Sequence, residues 1–362
     1  MRLVAAVLAL VLLLALPAGS PRAADSNDAF AALVAAAKAE GSVVVDGPPN
    51  DAVRVALTEG FQQKYGISVS YISSGSGPSG ARVRAERAAG KYLLDVFVSG
   101  SDTPIMTFLP SGWLDRIEPA LIEPDTINPK DWKDGHLWFA DPQHMILRVF
   151  QYVAVELMVN TKLVRPKEIP TWRSLLDPKW KGKLLIKDPR LPGSGQSLNS
   201  YFYIHFGPEF VRKLYIDQQP VFSGDARQGA QWIAQGNYPI WIGGEWGALD
   251  EFRKLGYPVA PVLPTDGPGI LTGAFGLISL MNHPPHPNAA KLYVNWLASR
   301  DGQSLFAKAM LAGSLRTDLK QDWMPSFEMT QPGRSYYDAY DYKFITVDRD
   351  AALAKFKALL GL

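Results

Sequence analysis

The sequence predicts an α/β protein built on a doubly wound, parallel sheet, on three observations. Short apolar strands alternate with amphipathic helices in a β-α-β-α-β order through the first hundred residues. The connections between them are short and carry Gly, Ser and Pro. The composition, 47% apolar and 20% charged over 362 residues, is globular and long enough for two domains or one large one. It excludes disorder, collagen-like repeats and a small disulfide scaffold.

Met1-Arg2 starts the chain with positive charge, Leu3 to Pro17 is apolar, and small residues run from Ala18 to Ala24 before Asp25. This is a secretory signal pattern with cleavage after Ala24, and its apolar run falls short of the ~20 residues that a spanning helix needs. Phe30, Leu33, Val34 and Ala37 recur at helical spacing up to Gly41. Ser42–Asp46 reads as a buried strand and Gly47-Pro-Pro-Asn50 as the turn after it. Val53–Tyr65 is an amphipathic helix stopped by Gly66, and Ile67–Ile72 alternates like a strand. Ser73–Gly80 reads as a loop, Ala81–Ala89 as a helix, Asp95–Val98 as a third strand, and Ser99-Gly-Ser-Asp102 as the opening of another helix.

From Pro104 to Gln143 the chain is irregular, with Pro, Trp and Asp. Met145–Asn160 reads as one long extended run. Lys183–Lys187, Tyr238–Ile242, Val259–Val262 and Gly273–Leu280 read as strands. Gly193-Ser-Gly-Gln196 is expected to precede a helix through about Phe206, and further helices are expected over Asn288–Ala298 and Gln303–Leu311. No internal repeat or low-complexity tract is present.

Lys plus Arg is 37 and Asp plus Glu 35, a net charge of +2; Arg2 and Arg22 lie in the expected leader, so the remainder is 35 against 35. This balance argues against nucleic-acid or anionic-membrane binding. Cysteine is absent, which excludes disulfides, thiolate metal sites and Cys nucleophiles and fits an oxidising compartment.

Gly75-Ser-Gly-Pro-Ser-Gly80 matches a dinucleotide-binding fingerprint in form. Asp95 opens its strand instead of ending it, and Pro78 sits inside the turn, so a plain turn or an oxyanion cradle of free N–H groups and serine hydroxyls fits better. Ala81-Arg82 replaces the Lys-Ser/Thr of a P-loop. Gly195-Gln-Ser-Leu-Asn199 fails the nucleophile-elbow pattern at its last position. The five histidines show no zinc-helix spacing, and His283-Pro-Pro-His286 reads as a solvated loop.

Phe61-Gln-Gln-Lys-Tyr-Gly66, Ala85–Val96 with Lys91-Tyr-Leu-Leu-Asp95, Asn160-Thr-Lys162, Trp172-Arg-Ser-Leu-Leu-Asp-Pro-Lys-Trp-Lys-Gly182, Asn288–Leu297 and Gly302-Gln303 follow one another in an order that resembles the periplasmic solute-binding proteins of ABC importers, in the branch that includes ferric-ion-binding proteins. The resemblance covers nearly the whole chain after the leader. It implies a type II periplasmic-binding-protein fold, two doubly wound α/β lobes joined by a two-strand hinge. The implied parts are a discontinuous first lobe over 25–148 and 270–330, a second over 149–269 with the crossovers, and a tail over 331–362 packing on both. It further implies a monomeric binding receptor, not an enzyme, that delivers a small-molecule ligand to an inner-membrane ABC permease. Hinge closure on the ligand is expected, with no cofactor. An exported enzyme or a sensor on the same lobes is the alternative from another class.

Ferric-binding relatives use phenolate ligands, typically an adjacent tyrosine pair after a second-lobe strand. Here Gly243-Gly-Glu-Trp246 follows Tyr238–Ile242, and the tandem Tyr336-Tyr337 lies in the tail, so no metal site is expected and ferric ion is the alternative cargo. In open sheets ligands sit outside the carboxyl ends of the strands. That rule selects Pro49, Asn50, Ser74, Gly75, Ser76, Ser99 and Ser101 from the first lobe. From the second it selects Ser194 and Gly195 at a helix start, and Gly244, Glu245 and Trp246 after the 238–242 strand. Helix N-termini from both sides favour an anionic group, and Glu245 opposes a purely anionic one. The expected ligand is therefore a small polar solute, anionic or zwitterionic.

Overall fold

A computed structural model describes residues 21–191 and 194–362, so all but the last four residues of the expected leader lie outside it. The chain opens with α1 (Pro21–Glu40), whose Leu33 and Ala37 are buried. Strand β1 (Ser42–Gly47) follows, then α2 (Asp51–Tyr65), β2 (Ser68–Ser73), α3 (Ser76–Ala88) and β3 (Val96–Ser99). In α2, Val53, Leu57, Phe61 and Tyr65 repeat every fourth residue and are the buried positions. The expected loop at 73–80 shrinks to Ser74-Gly75, because α3 begins at Ser76. Pro78 is no obstacle there, since the first-turn N–H groups of a helix have no intrahelical acceptor.

The irregular stretch contains β4 (Leu114–Asp115), a one-turn α4 (Pro124–Ile127) and β5 (Trp138–Phe139), and leads to β6 (Ile146–Arg148). The extended run at 145–160 proves to be three strands in three sheets. β6 belongs to the first, β7 (Tyr152–Val153) to a small sheet of its own, and β8 (Leu157–Asn160) to the second. A single chain passing between two lobes cannot stay in register with both, which is why one apolar run serves three partners.

The second lobe adds β9 (Leu184–Lys187), α5 (Ser194–Arg212), β10 (Val221–Ser223), α6 (Ala226–Gln235), β11 (Ile240–Ile242), α7 (Trp246–Lys254) and β12 (Val259–Val262). Helix α5 runs past the expected end near Phe206 through a kink at Gly207. The chain returns through β13 (Gly269–Thr272) to β14 (Leu277–Met281), then α8 (Pro287–Ala298) and α9 (Arg300–Met310). It finishes with β15 (Tyr336–Asp338) and α10 (Arg349–Leu360).

Strand order in the first sheet is β2-β1-β3-β14-β6-β5, with β4 against β14, and in the second β10-β9-β11-β8-β12. Both sheets are mixed where the sequence suggested parallel ones. β1, β2 and β3 are parallel, but β14 runs antiparallel to β3 and β6, because it arrives from the other lobe. In the second sheet β8 is antiparallel to β11 and β12 for the same reason. Between the sheets, β13 pairs antiparallel with β7 and parallel with β15, forming the two-strand crossover with a third strand added by the tail.

Asp95 fixes the first lobe. It is fully buried just before β3, and its carboxylate accepts from Val44 N at 2.7 Å and from His286 N and Nδ1 at 2.8 Å each. His286 reaches on to Ser42 Oγ at 2.9 Å. The His283–His286 loop is thus anchored at His286, where the sequence suggested solvent, while His283 is exposed as expected. Asn295 is also fully buried and uses both ends of its amide: Oδ1 accepts from Ile122 N and Glu123 N, and Nδ2 donates to Ala120 O and Lys291 O.

The tail ties the lobes together. α10 carries Leu353 and Phe356 into a core shared with Tyr201, Tyr215 and, through Phe344 and Ile345, with Phe97 and Phe108 of the first lobe. Buried Arg349 forms an ion pair with Asp102, while its carbonyl accepts from Ser200 Oγ at 3.1 Å on α5. Among the described residues no helix is long and apolar enough to cross a membrane.

Candidate functional site

The second lobe builds its edge from strand register. Ile186, Ile242 and Leu157 are paired across β9, β11 and β8. The next position on each strand puts Lys187, Gly243 and Glu156 in one row, and Gly243 N donates to Glu156 O at 2.8 Å. The first turns of α5 lie against this row. A Cβ on Gly195 would come 3.3 Å from Lys187 Cδ, so glycine here lets the lysine stem cross the helix start. Gly244 is glycine for packing, since a Cβ would overlap the Trp241 ring at 2.3 Å.

Glu245 caps α7 in position only, with no side-chain cap hydrogen bond, and its Oε1 stands 3.5 Å from Lys187 Nζ. Trp246 is 9% exposed, and its ring meets Phe327 edge-on with centroids 5.5 Å apart. That ring belongs to the core of the second lobe, where it anchors the α7 start instead of presenting a stacking face. Ser194 opens α5.

In the first lobe, Pro49 and Asn50 are exposed after β1. Asn50 is the N-cap of α2, its Oδ1 accepting from Val53 N at 3.0 Å. Ser74 Oγ turns to Gly75 O at 3.3 Å, and Gly75 caps α3 without a side-chain bond, with Ser76 next at the first helical position. Ser99 is buried and donates to Gly100 O at 3.0 Å. Ser101 lies against the Tyr340 hydroxyl, which donates to Ala274 O. These residues follow the ends of β1, β2 and β3, and the side chains of Asn50, Ser74 and Ser99 are engaged locally.

Between the two edges stand hinge tyrosines that sequence patterning did not select. Tyr152 on β7 feels the charges of Glu156, Glu245 and Glu328, and burial pushes its hydroxyl pKa far up. Glu156 is half-buried, and desolvation pushes its carboxyl up to about 7, with Lys187 pulling down and Glu245 adding to the rise. Nothing in the local pattern marks Tyr152 or Glu156. Lys187 does follow from the strand-end rule once β9 is placed at Leu184–Lys187.

Glu328 is a second carboxylate of this kind, buried beside Asp250 and pushed up to about 7 by desolvation. The folded form holds its proton more tightly than the unfolded chain does. Its stabilisation is full below the unfolded value near 4.5 and is lost as pH rises through about 7. E328Q should therefore gain stability relative to the parent by up to about 3 kcal/mol between pH 5 and pH 8. Thermal melts of both proteins at the two pH values check this; a constant difference would contradict it.

Other clusters are accounted for without a ligand. The carboxylates of Asp125, Asp131 and Asp318 lie within 4.8 Å of one another, but the buried Arg316 guanidinium sits among them. Tyr336 and Tyr337 belong to β15: Tyr336 OH accepts from Gln331 N at 2.6 Å, and the Tyr337 ring packs on Tyr201, His205 and Phe344. A shallow cavity of about 690 Å³ at the outer edge strand β5 is lined by Glu118, His136, Trp138 and His144.

Comparison with known proteins agrees with this architecture. An uncharacterized protein of Haemophilus influenzae is 27% identical over 293 residues, 76% of this chain and 78% of its own length. The periplasmic binding protein AfuA of Actinobacillus pleuropneumoniae, solved with fructose 6-phosphate bound, superposes with a TM-score of 0.67 at 22% identity, covering 89% of this chain and 99% of that one. Iron-bound HitA of Pseudomonas aeruginosa gives 0.63 at 16% identity, over 89% and 99%. The substrate-binding protein of an ABC transporter from Agrobacterium tumefaciens gives 0.69 at 15%, over 88% and 94%. The three solved structures share the two-lobed type II binding-protein fold, and AfuA and HitA differ in what they hold. The family profile described as bacterial extracellular solute-binding protein matches residues 23–304, and the chain belongs to that family, as a solute-binding protein of ABC transport and not an enzyme.

Proposed function

We propose that the protein captures a small organic solute carrying an anionic group, or a zwitterion, in the cleft between its lobes. The observation that carries this reading is the start of α5 lying across Lys187 at the strand-end row of the second lobe. A helix start offers N–H donors without intrahelical acceptors and a positive dipole end, and the ammonium beside it adds charge of the same sign. Ser74, Gly75 and Ser76 at the α3 start, with Ser101 and Pro49, supply the facing wall; Ser194, Gly195, Gly244 and Glu245 supply the other. AfuA holds a sugar phosphate on the same fold, which supports an organic anion as the cargo class.

The chain's first 24 residues act as a cleaved export signal, and the mature monomer works in the periplasm with an inner-membrane permease. The first lobe comprises 25–148 and 270–330, the second 149–269, and the tail from 331 clasps both. Ligand closes the hinge.

Native mass spectrometry of the protein as purified, followed by melting and X-ray scattering with fructose 6-phosphate, tests the reading. A bound organic anion, a rise in melting temperature and a smaller radius of gyration are expected; a hundredfold excess over Kd contributes about 2.7 kcal/mol. Superimposable scattering curves at saturation would remove the hinge closure. Ferric titration should leave the protein colourless, because the residues after β11 are Gly243-Gly-Glu-Trp246. A chelator-sensitive visible band would make iron the cargo.

A further inference from the structure

We infer that Glu156 contacts the captured solute directly, accepting a hydrogen bond from a hydroxyl or ammonium group, and so selects substituted organic anions over simple inorganic ones. The inference rests on the organic-anion reading above.

Glu156 lies where β7 leaves the hinge and β8 enters the second sheet. Register puts it in the same row as Gly243 and Lys187, at the edge where α5 begins. Gly243 has no side chain to fill the row: a Cβ there would come 3.0 Å from Leu198 Cδ2 and 3.1 Å from Lys187 Cβ. The backbone carbonyl of Glu156 is used, accepting from Gly243 N. Its carboxylate is not used at all: among the described residues it has no hydrogen-bond or ion-pair partner. The nearest cation, Lys187, pairs with Glu245 at 3.5 Å.

A half-buried carboxylate without a partner is costly to a folded protein, and such groups concentrate where a ligand completes them. Burial pushing its pKa up to about 7 is the electrostatic signature of the same situation. Glu156 and Glu245 face the one ammonium of Lys187, so Glu156, partly ionised at neutral pH, adds negative charge near an anion-attracting helix start. The P–OH donors that inorganic phosphate keeps at neutral pH sit on the same group that the α5 start would hold, with no carbon skeleton to carry a donor from there to Glu156. A solute with an anionic end at α5 and a hydroxyl or ammonium group a few ångströms away would satisfy both. Selectivity of this kind comes from a buried polar group that the wrong ligand leaves unpaired.

The test measures binding of fructose 6-phosphate, glycerol 3-phosphate and inorganic phosphate to the full chain and to E156Q by calorimetry, with melting of both apo proteins. The expected result is a loss of about ten- to hundredfold in affinity for the hydroxylated phosphates in E156Q. Inorganic phosphate should bind E156Q as weakly as the parent or more tightly, and apo E156Q should melt at or above the parent temperature. Equal affinity of parent and variant for the hydroxylated phosphates would overturn the role of Glu156 and leave the organic-anion reading standing. A drop of several degrees in apo E156Q would overturn it too, by making Glu156 a structural group. Failure of the parent to bind any of these probes or to retain any organic anion on purification would bring down the organic-anion reading, and the inference with it.

Discussion

Replacing Arg316 with alanine should cost about 3–5 kcal/mol of stability, enough to unfold much of the protein at moderate denaturant. The guanidinium is fully buried and uses every donor direction. Nε and Nη2 hold the two oxygens of Asp318 at 2.9 and 2.8 Å, Nη2 also holds Asp125 Oδ1 at 3.0 Å, and Nη1 reaches Asp125 O and Ala298 O at 3.1 and 3.2 Å. Its removal leaves three aspartates facing one another and two carbonyls without a donor. Burial alone would lower the arginine pKa, yet the three carboxylates hold it above the ordinary value. R316K should recover little, because an ammonium cannot reproduce a planar fork with five acceptors. Denaturant melts of R316A and R316K check this, and a loss below about 1 kcal/mol for either would show that the network contributes far less than its geometry suggests.

Asp338→Ala should be nearly as damaging, for the opposite electrostatic reason, and should also loosen the hinge. Asp338 on β15 grips buried Arg148 of β6 in a two-point pair, at 2.7 Å to Nη1 and 3.0 Å to Nη2. It also takes Gln151 Nε2 at 3.3 Å and Tyr340 N at 2.9 Å. The variant strands a buried cation, at a cost of about 3–5 kcal/mol. It also unpins β15 from the first lobe while β13 still holds it. Hydrogen exchange at β15 and β7 should rise more than exchange in β1. The double variant R148M with D338L, which removes both charges, should recover most of the stability. If the double variant is no better than D338A alone, packing and not the stranded charge accounts for the loss.

Much of the architecture is legible in local pattern. The fourfold spacing of Val53, Leu57, Phe61 and Tyr65 places α2, and the apolar run at 184–187 places β9, because burial of one face fixes both periodicities. Candidate positions at the α3 and α5 starts followed from the strand-end rule. Glu156, Tyr152 and Asp338 did not, because each is chemically plain in its own segment and acquires meaning from a partner far along the chain. Trp246 shows the converse: a residue at the right strand end whose ring is taken by Phe327, 81 positions later.

The sequence by itself determined the α/β class, the short connections and the balance of charge, since these depend on periodicity, turn chemistry and composition within a few residues. The tertiary structure alone decided that one extended run at 145–160 would serve three sheets and that the sheets would be mixed. It alone packed the tail on the first lobe through Arg349–Asp102 and Arg148–Asp338 and on α5 through Ser200 and Arg349 O. The reason is physical: strand direction, register and the pairing of buried charges are set when distant segments meet, and a carboxylate's cost or use depends on what surrounds it and not on its neighbours in sequence.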